Sequence, residues 1–215
     1  MLKPILFIIV ITFFFTNSIY SQSYRQGSCG SNSYSRLYIT PYIGIGGGSY
    51  SYDLNKTVMD TDSNYYDLEK GNVFTPAFGI NFLYKIGKSN LGGGAEIQGI
   101  NGTTQNELFE TKQSAYLFKF YGRYEHDLYS DSFNDFGFAL EGGLLFPNKV
   151  AGDYPSMGGY GKIGLYYNYI INSTSAIFVG LDYSYSVFNT EIGKSISNHS
   201  LGDVKLTIGY RFWFY

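Results

Sequence analysis

The chain has 215 residues, a net charge of -2, 15% charged residues and 20% aromatic residues. Basic residues this few and scattered exclude an ordinary nucleic-acid surface, and a charged fraction well below the roughly 25% of soluble chains argues against a wall bathed in water on every side. With Cys29 as the single cysteine, no internal disulfide can form.

The chain opens with "MLKPILFIIVITFFFTNSIYSQS", in which Lys3 is followed by an apolar core from Ile5 to Phe15 and then by small and polar residues. This three-part composition is that of a secretory signal, and the core is shorter than the roughly 20 residues of a membrane-spanning helix. Residues 1–21 are therefore expected to be removed after Ser21. Loss of Lys3 leaves 14 basic against 17 acidic residues, a net charge of -3. Residues 22–35 read as a flexible periplasmic lead-in, and Cys29 stands too far behind the apolar core to serve as a lipid anchor. No later segment is a continuous apolar helix, so any passage through a membrane must use strands.

From Arg36 to Tyr215 the polarity alternates every second residue in eight stretches. "RLYITPYIGIGGGSY" sets Leu37, Ile39, Ile43 and Ile45 against Tyr38, Thr40, Tyr42, Gly44 and Gly46. "VFTPAFGINFLYKI" sets Phe74, Phe78, Ile80, Phe82 and Tyr84 against Thr75, Ala77, Gly79 and Asn81. "LGGGAEIQGI", the weakest, opposes Leu91, Ala95 and Ile97 to Glu96 and Gln98. "SAYLFKFYGRYEH" alternates Tyr116, Phe118, Phe120 and Tyr124 with Lys119, Arg123 and Glu125. "FGFALEGGLLF" places Phe136, Phe138, Leu140, Leu144 and Phe146 opposite Ala139, Glu141 and Gly143. "YGKIGLYYNYII" opposes Ile163, Leu165, Tyr167 and Tyr169 to Lys162, Gly164 and Asn168. "AIFVGLDYSYSV" opposes Ile177, Val179, Leu181, Tyr183 and Tyr185 to Gly180, Asp182, Ser184 and Ser186. The last stretch, "VKLTIGYRFWFY", puts Val204, Leu206, Ile208, Tyr210, Phe212 and Phe214 on one face.

Short connectors such as "GKSN" and "NSTS" alternate with long ones such as "NGTTQNELFETKQ" and "FNTEIGKSISNHS", the asymmetry expected between periplasmic turns and outer loops. The less apolar face is rich in Gly, Ala, Ser and Thr with one or two charges per strand, too small for a water-facing surface but suited to a narrow interior. A soluble barrel would reverse the polarity. The expectation is an all-β fold: a transmembrane, eight-stranded, antiparallel up-and-down β-barrel over residues 36–215, with the apolar face toward lipid. An interior charge network is expected from Glu96, Glu125, Glu141, Asp182 and Asp203 with Lys119, Arg123, Lys162, Lys205 and Arg211. Tyr38, Tyr84, Tyr116, Tyr124, Tyr169 and Tyr185 are expected in headgroup girdles.

The signal segment, the eight strands, "PYIGIGGG" and the terminal "YRFWFY" resemble the small outer-membrane barrel family, which includes the OmpA-type transmembrane domain and OmpX/Ail-type proteins. The resemblance implies a monomeric protein in the outer membrane of a Gram-negative bacterium, in contact with lipid and lipopolysaccharide. It also implies an assembly signal for the barrel assembly machinery in Tyr210, Phe212, Phe214 and Tyr215, with Tyr215 standing one residue beyond the outward series. It carries over no catalytic residue.

Several candidates for chemistry remain. His199, in "KSISNHSLGD", has Ser195, Ser197, Ser200 and Asp203 nearby in sequence, the ingredients of acyl transfer and of a lipid A acyltransferase or deacylase; as an outer-loop residue it is otherwise solvated. His126 falls at the periplasmic end of the fourth strand. Asp60, Asp62, Asn64, Asp67 and Glu69 form an acidic first loop whose spacing departs from a calcium-binding loop at Tyr65 and Gly71. "GIGGG" lacks the helix and Lys-Ser/Thr of a phosphate loop and reads as close strand packing. Tyr50, Tyr52, Tyr65, Tyr66, Phe109 and Tyr154 are candidate loop anchors for an extracellular protein or glycan. No catalytic residue, metal or cofactor is expected. The function expected is structural or adhesive, with a lipid A-modifying enzyme or a narrow ion-conducting pore as the alternatives.

Overall fold

Strands whose side chains alternate between large apolar and small polar can bury neither edge nor face alone, and in lipid every backbone group must find a partner within the sheet. The chain meets both demands by closing on itself. The structure is a computed structural model that describes residues 36–55, 66–105, 110–148, 154–155, 157–192 and 195–214. The expected signal peptide (1–21), the lead-in (22–35) with Cys29, and Tyr215 lie outside the described residues.

Among the described residues the strands are β1 (Leu37–Asn55), β2 (Tyr66–Phe74), β3 (Ala77–Ile86), β4 (Ser89–Gln105) and β5 (Glu110–Ser130). They continue with β6 (Asn134–Pro147), β7 (Tyr154–Pro155), β8 (Gly158–Asn172), β9 (Ser175–Ile192) and β10 (Ser195–Phe214). All pairings are antiparallel, and β10 pairs with both β9 and β1, so the ring is closed. β2 and β3 form one stave interrupted at Pro76, which has no N–H to give. The stave holds because Thr75 N donates to Gly46 O at 2.9 Å and Gly99 N to Pro76 O at 2.7 Å. β7 adds two residues at the rim against β9. The fold is thus the eight-stave, up-and-down, all-β barrel expected from the sequence.

The outward faces decide what surrounds it. Ile43 is 62% exposed and Phe78 59%, and the same holds around the ring through Phe120, Ile163, Leu181 and Ile208. A continuous apolar girdle of this kind has no place in water and is the face a spanning barrel offers to hydrocarbon. Above the girdle the outward residues turn polar: Ser49, Asn101, Thr103, Lys112, Asn189 and Asn198 are exposed. Crossing hydrocarbon takes about 10 tilted residues, whereas β1, β5 and β10 have 19, 21 and 20. The wall therefore stands well clear of the membrane on one side.

Those extensions correct the expected long loops "NGTTQNELFETKQ" and "FNTEIGKSISNHS", most of which is strand. Their inward residues Thr104, Gln113, Thr190 and Ser197 are buried although polar, and their outward residues are polar as well. Alternation without hydrophobic contrast leaves no signal in the sequence.

At the other end the turns are tight. Gly87, with φ of 62°, occupies the left-handed region between β3 and β4. Asp131 Oδ1 accepts from the backbone N of Phe133 and of Asn134, both at 2.7 Å, between β5 and β6. Tyr38 is corrected as a girdle residue: it points inward, is buried, and meets Trp213 edge-on at 5.8 Å. Inward small residues also explain "GIGGG", since a Cβ on Gly48 would overlap the Gly202 carbonyl of β10.

Candidate functional site: the barrel interior

Along β10 the inward series runs Trp213, Arg211, Gly209, Thr207, Lys205, Asp203, Leu201, His199, Ser197 from the end with the termini upward. It passes from cations and carboxylates through an aliphatic residue to an imidazole, and the rest of the interior follows the same layers.

The ten residues named for the charge network all lie inside the barrel and are buried. In the lower tier Arg211 donates through both terminal nitrogens to Glu125, at 2.9 and 2.8 Å, and through Nε to Thr40 Oγ1 at 3.0 Å. Arg123 joins Glu125 (2.8 Å) to Glu141. Above it Glu96 is a hub, with Lys205 Nζ at 2.7 Å, Lys119 at 3.6 Å and Lys162 at 3.8 Å. The Tyr42 hydroxyl also donates to Glu96, at 2.8 Å. Lys162 reaches Glu141 at 2.7 Å, and Lys119 lies over the Tyr160 ring at 4.5 Å. Asp203 accepts from Gln98 (2.9 Å), Thr75 (3.2 Å) and Ser184, and Asp182 from Thr207 at 3.4 Å. Five carboxylates and five cations thus sit in one interlocked block, the condition under which burying charge is tolerable.

Over this block lies an apolar layer that reading the sequence missed. Ile100, Leu117, Leu145 and Leu201, each 1% exposed or less, cluster with Val73, Tyr50 and Tyr160 across the lumen. All have inward phase, so the period-2 pattern could have found them. The expectation of a uniformly small and charged inner face leaves them out.

His199 sits above that layer, on β10, buried, five residues beyond Val204, the uppermost outward apolar residue of that strand among the described residues. This corrects its expected place in a solvated loop. Its Nδ1 lies 2.6 Å from the Tyr50 hydroxyl and its Nε2 2.8 Å from Thr190 Oγ1. Its ring stacks on Phe188 at 4.8 Å and 1° and on Tyr52 at 5.6 Å. Of the serines and carboxylate nearby in sequence, Ser197 is buried on the same inward face, two positions along β10, with no hydrogen bond from its hydroxyl. Ser200 pairs on the outer wall with Ser51 at 2.7 Å, Asp203 belongs to the block below, and the side chain of Ser195 lies outside the described residues.

Burial pushes the His199 imidazole down to about 4. The unfolded chain, with an ordinary value near 6.5, takes up the proton first. Stability present above pH 6.5 is therefore lost as the pH falls toward 4, by about 2 kcal/mol between pH 7.5 and 4.5. Urea midpoints in detergent micelles at those two pH values should show the loss, and His199→Gln should remove that part of it. An unchanged pH dependence in the variant would contradict this placement.

The other candidates disperse. His126 faces outward at the terminal end, half-buried, with Ser89 Oγ 3.0 Å from Nδ1. Glu69 points into the barrel and accepts from Thr104 at 2.7 Å, so it is not part of an outer acidic cluster. Asp60, Asp62 and Asn64, and the side chain of Asp67, lie outside the described residues. Tyr50 and Tyr52 are corrected as surface anchors, being buried inside the wall. Tyr65 and Phe109 lie outside the described residues, as do the side chains of Tyr66 and Tyr154. Tyr210 and Phe212 are half-exposed and Phe214 exposed on the outer face of β10.

No protein-family model matches the chain, and neither does any curated protein. Solved structures of similar shape include the outer membrane protein OprG of Pseudomonas aeruginosa, at 11% identity over 84% of this chain and 96% of that one, with a TM-score of 0.51. Neisserial surface protein A shares 11% identity over 83% and 97% of the two chains, with a TM-score of 0.48. The outer membrane protease OmpT of Escherichia coli shares 8% over 83% and 97%, with a TM-score of 0.47. The likeness to OprG shows the fold, that of a small outer-membrane β-barrel. At such identity no residue role is carried across.

Proposed function

We propose that this chain is a sealed, non-enzymatic barrel of the bacterial outer membrane. On this reading its work is done by the wall that stands above the hydrocarbon, bracing the outer leaflet or holding an extracellular protein or glycan. The observation that carries the reading is the aliphatic layer of Ile100, Leu117, Leu145 and Leu201 lying directly over the ion-pair block. A conducting lumen needs a wetted path, and these two fillings occupy its cross-section in series. A lipid-modifying enzyme needs its base and hydroxyl open to lipid and the base oriented by a carboxylate, whereas His199 and Thr190 are buried inside the wall and Nδ1 meets the Tyr50 hydroxyl. Lipid and lipopolysaccharide would meet the outer girdle and the polar band above it as a monomer's surroundings. In the same reading Tyr210, Phe212 and Phe214 present the assembly signal from the outer face of β10, and Phe214→Ala should lower the yield of folded barrel in membranes.

The test pairs two measurements on cells. Replacing the exposed wall residues Thr103, Lys112, Asn189 and Asn198 together by alanine is expected to abolish surface binding while the heat-dependent gel shift of the folded barrel persists. The lipid A mass spectrum is expected to be the same with the protein, without it, and with His199→Ala. An acyl pattern that changes with the protein and reverts in the variant would replace this reading with that of a lipid A-modifying enzyme.

A further inference from the structure

Above the apolar girdle the outer wall is lined by neutral hydrogen-bonding groups. Among residues whose side chains are described, Lys70 and Lys112 are the charged ones there, and both are exposed. They stand on one face of the barrel. Lys70 of β2 is in register with Gln105 of β4, and Lys112 of β5 with Thr103 of the same strand. The two lysines therefore flank β4 from its two sides, about 12 Å apart at Cα from strand spacing, so their extended side chains can close on one group between them. Asn101 and Ser114, paired one row nearer the membrane, add an exposed amide and hydroxyl to that of Thr103. Glu110 is in register with Gln105 at the upper edge of the patch, and its side chain lies outside the described residues.

Below this patch, on the same staves and facing hydrocarbon, the wall holds an apolar groove of about 220 Å³. Its floor is Ala95, a small residue in register between Ile80 and Phe120, and Phe78, Ile97 and Phe118 form the row above it. Phe78 and Phe120 stand out on either side, 59% and 57% exposed. Six residues of β5 separate Phe118 from Lys112. That is about 20 Å of strand and, at a tilt near 40°, about 15 Å of depth, the thickness of one hydrocarbon leaflet. An acyl chain whose head is anchored at the lysines reaches the groove.

We infer, on the reading of this end of the barrel as the outer one, that the β2–β4–β5 face is a binding site for one lipid A molecule, with a phosphate held between Lys70 and Lys112 and an acyl chain lodged over Ala95. Two ammonium groups closing from opposite sides suit a phosphate, which both can meet as flexible point charges. The amide of Asn101 and the hydroxyls of Thr103 and Ser114 suit the phosphorylated sugar that carries it, of which a glycerophospholipid has no counterpart. Bare hydrocarbon would account for the groove but not for the cations above it. A second copy of this chain docking on the same face by a two-fold axis would set the lysines of one protomer against those of the other.

The full-length protein, folded in detergent micelles, is titrated with diphosphorylated lipid A, with its dephosphorylated form and with phosphatidylglycerol, and bound lipid is counted by native mass spectrometry. One lipid A per barrel is expected, half-saturating at a concentration on the order of micromolar, with both other lipids weaker. Lys70→Gln/Lys112→Gln should weaken it roughly thirtyfold. Ala95→Phe, which fills the groove and leaves both lysines in place, should weaken it roughly tenfold. Ile163→Phe on the far wall should leave it unchanged, with the heat-dependent gel shift showing that all three variants are folded. Phosphatidylglycerol bound as tightly as lipid A would assign the face to any anionic lipid and overturn the proposal. So would graded uptake without saturation, equal weakening by Ile163→Phe, or unaltered titration in the other two variants. No bound lipid A in the wild type overturns the site and leaves the sealed barrel standing. Loss of acyl mass from lipid A retained at this face would support the site and overturn the non-enzymatic reading.

Discussion

Glu96→Ala is expected to destabilise the barrel by about 3–5 kcal/mol, more than any other single change considered in the charge block. Glu96 is the carboxylate within 4.0 Å of Lys119, Lys162 and Lys205, with Lys205 closest at 2.7 Å. Lys162 keeps Glu141 at 2.7 Å, and Lys119 keeps the face of Tyr160. Lys205 keeps only Asp203 at 4.0 Å, whose oxygens are already taken by Gln98, Thr75 and Ser184. Removing the hub therefore leaves Lys205 with one distant carboxylate and Lys119 with none, both beside Lys162, which Glu141 still matches. The cost comes from the charge left behind rather than from the lost bond, so removing that charge as well should restore much of the stability. Urea unfolding in micelles, followed through Trp213, should place Glu96→Ala/Lys205→Met well above Glu96→Ala. A double variant no more stable than the single would show that the cost lies in packing.

The barrel was legible because its outer face contrasts so sharply with its inner one. From Ile43 to Phe214 each apolar residue assigned to the outer face is indeed outward, since a one-residue slip would turn a row of Phe and Ile inward and charges into lipid. The legibility ended where that contrast ended. Above Val204 the outer residues are Gly202, Ser200 and Asn198, and the inner ones include His199 and Ser197, so both faces are polar and the strand reads as loop. The expectation of Tyr50 and Tyr52 as loop anchors fails for the same reason. They follow a glycine run and precede an acidic stretch, and nothing local says that their rings stack on His199, 149 positions away for Tyr50. The network's membership could be read from inward phase, but its pairing could not. Which carboxylate meets which cation depends on the stagger of staves distant in sequence, as Arg211 and Glu125, 86 positions apart, illustrate.

Leu145→Ala tests the second filling of the lumen. Leu145 is fully buried, pairs in register with Lys119 of β5, and belongs to the cluster with Leu117, Ile100 and Leu201. Deleting its isobutyl end should cost about 2–5 kcal/mol, toward the low end because the space opens beside the Lys119 ammonium, where water entering from above gains a polar partner. The same geometry predicts what the variant will not do. The void stops at the Glu96 hub, whose lysines fill the next section below, so hydration of the upper layer leads nowhere. Planar bilayers containing the wild-type protein should stay silent, and those containing Leu145→Ala should stay silent too, despite the lower urea midpoint. Discrete conductance steps in the wild type would replace the sealed barrel by a pore. Steps in Leu145→Ala alone would mean that the aliphatic layer is the sole seal and that the ion-pair block beneath it is permeable.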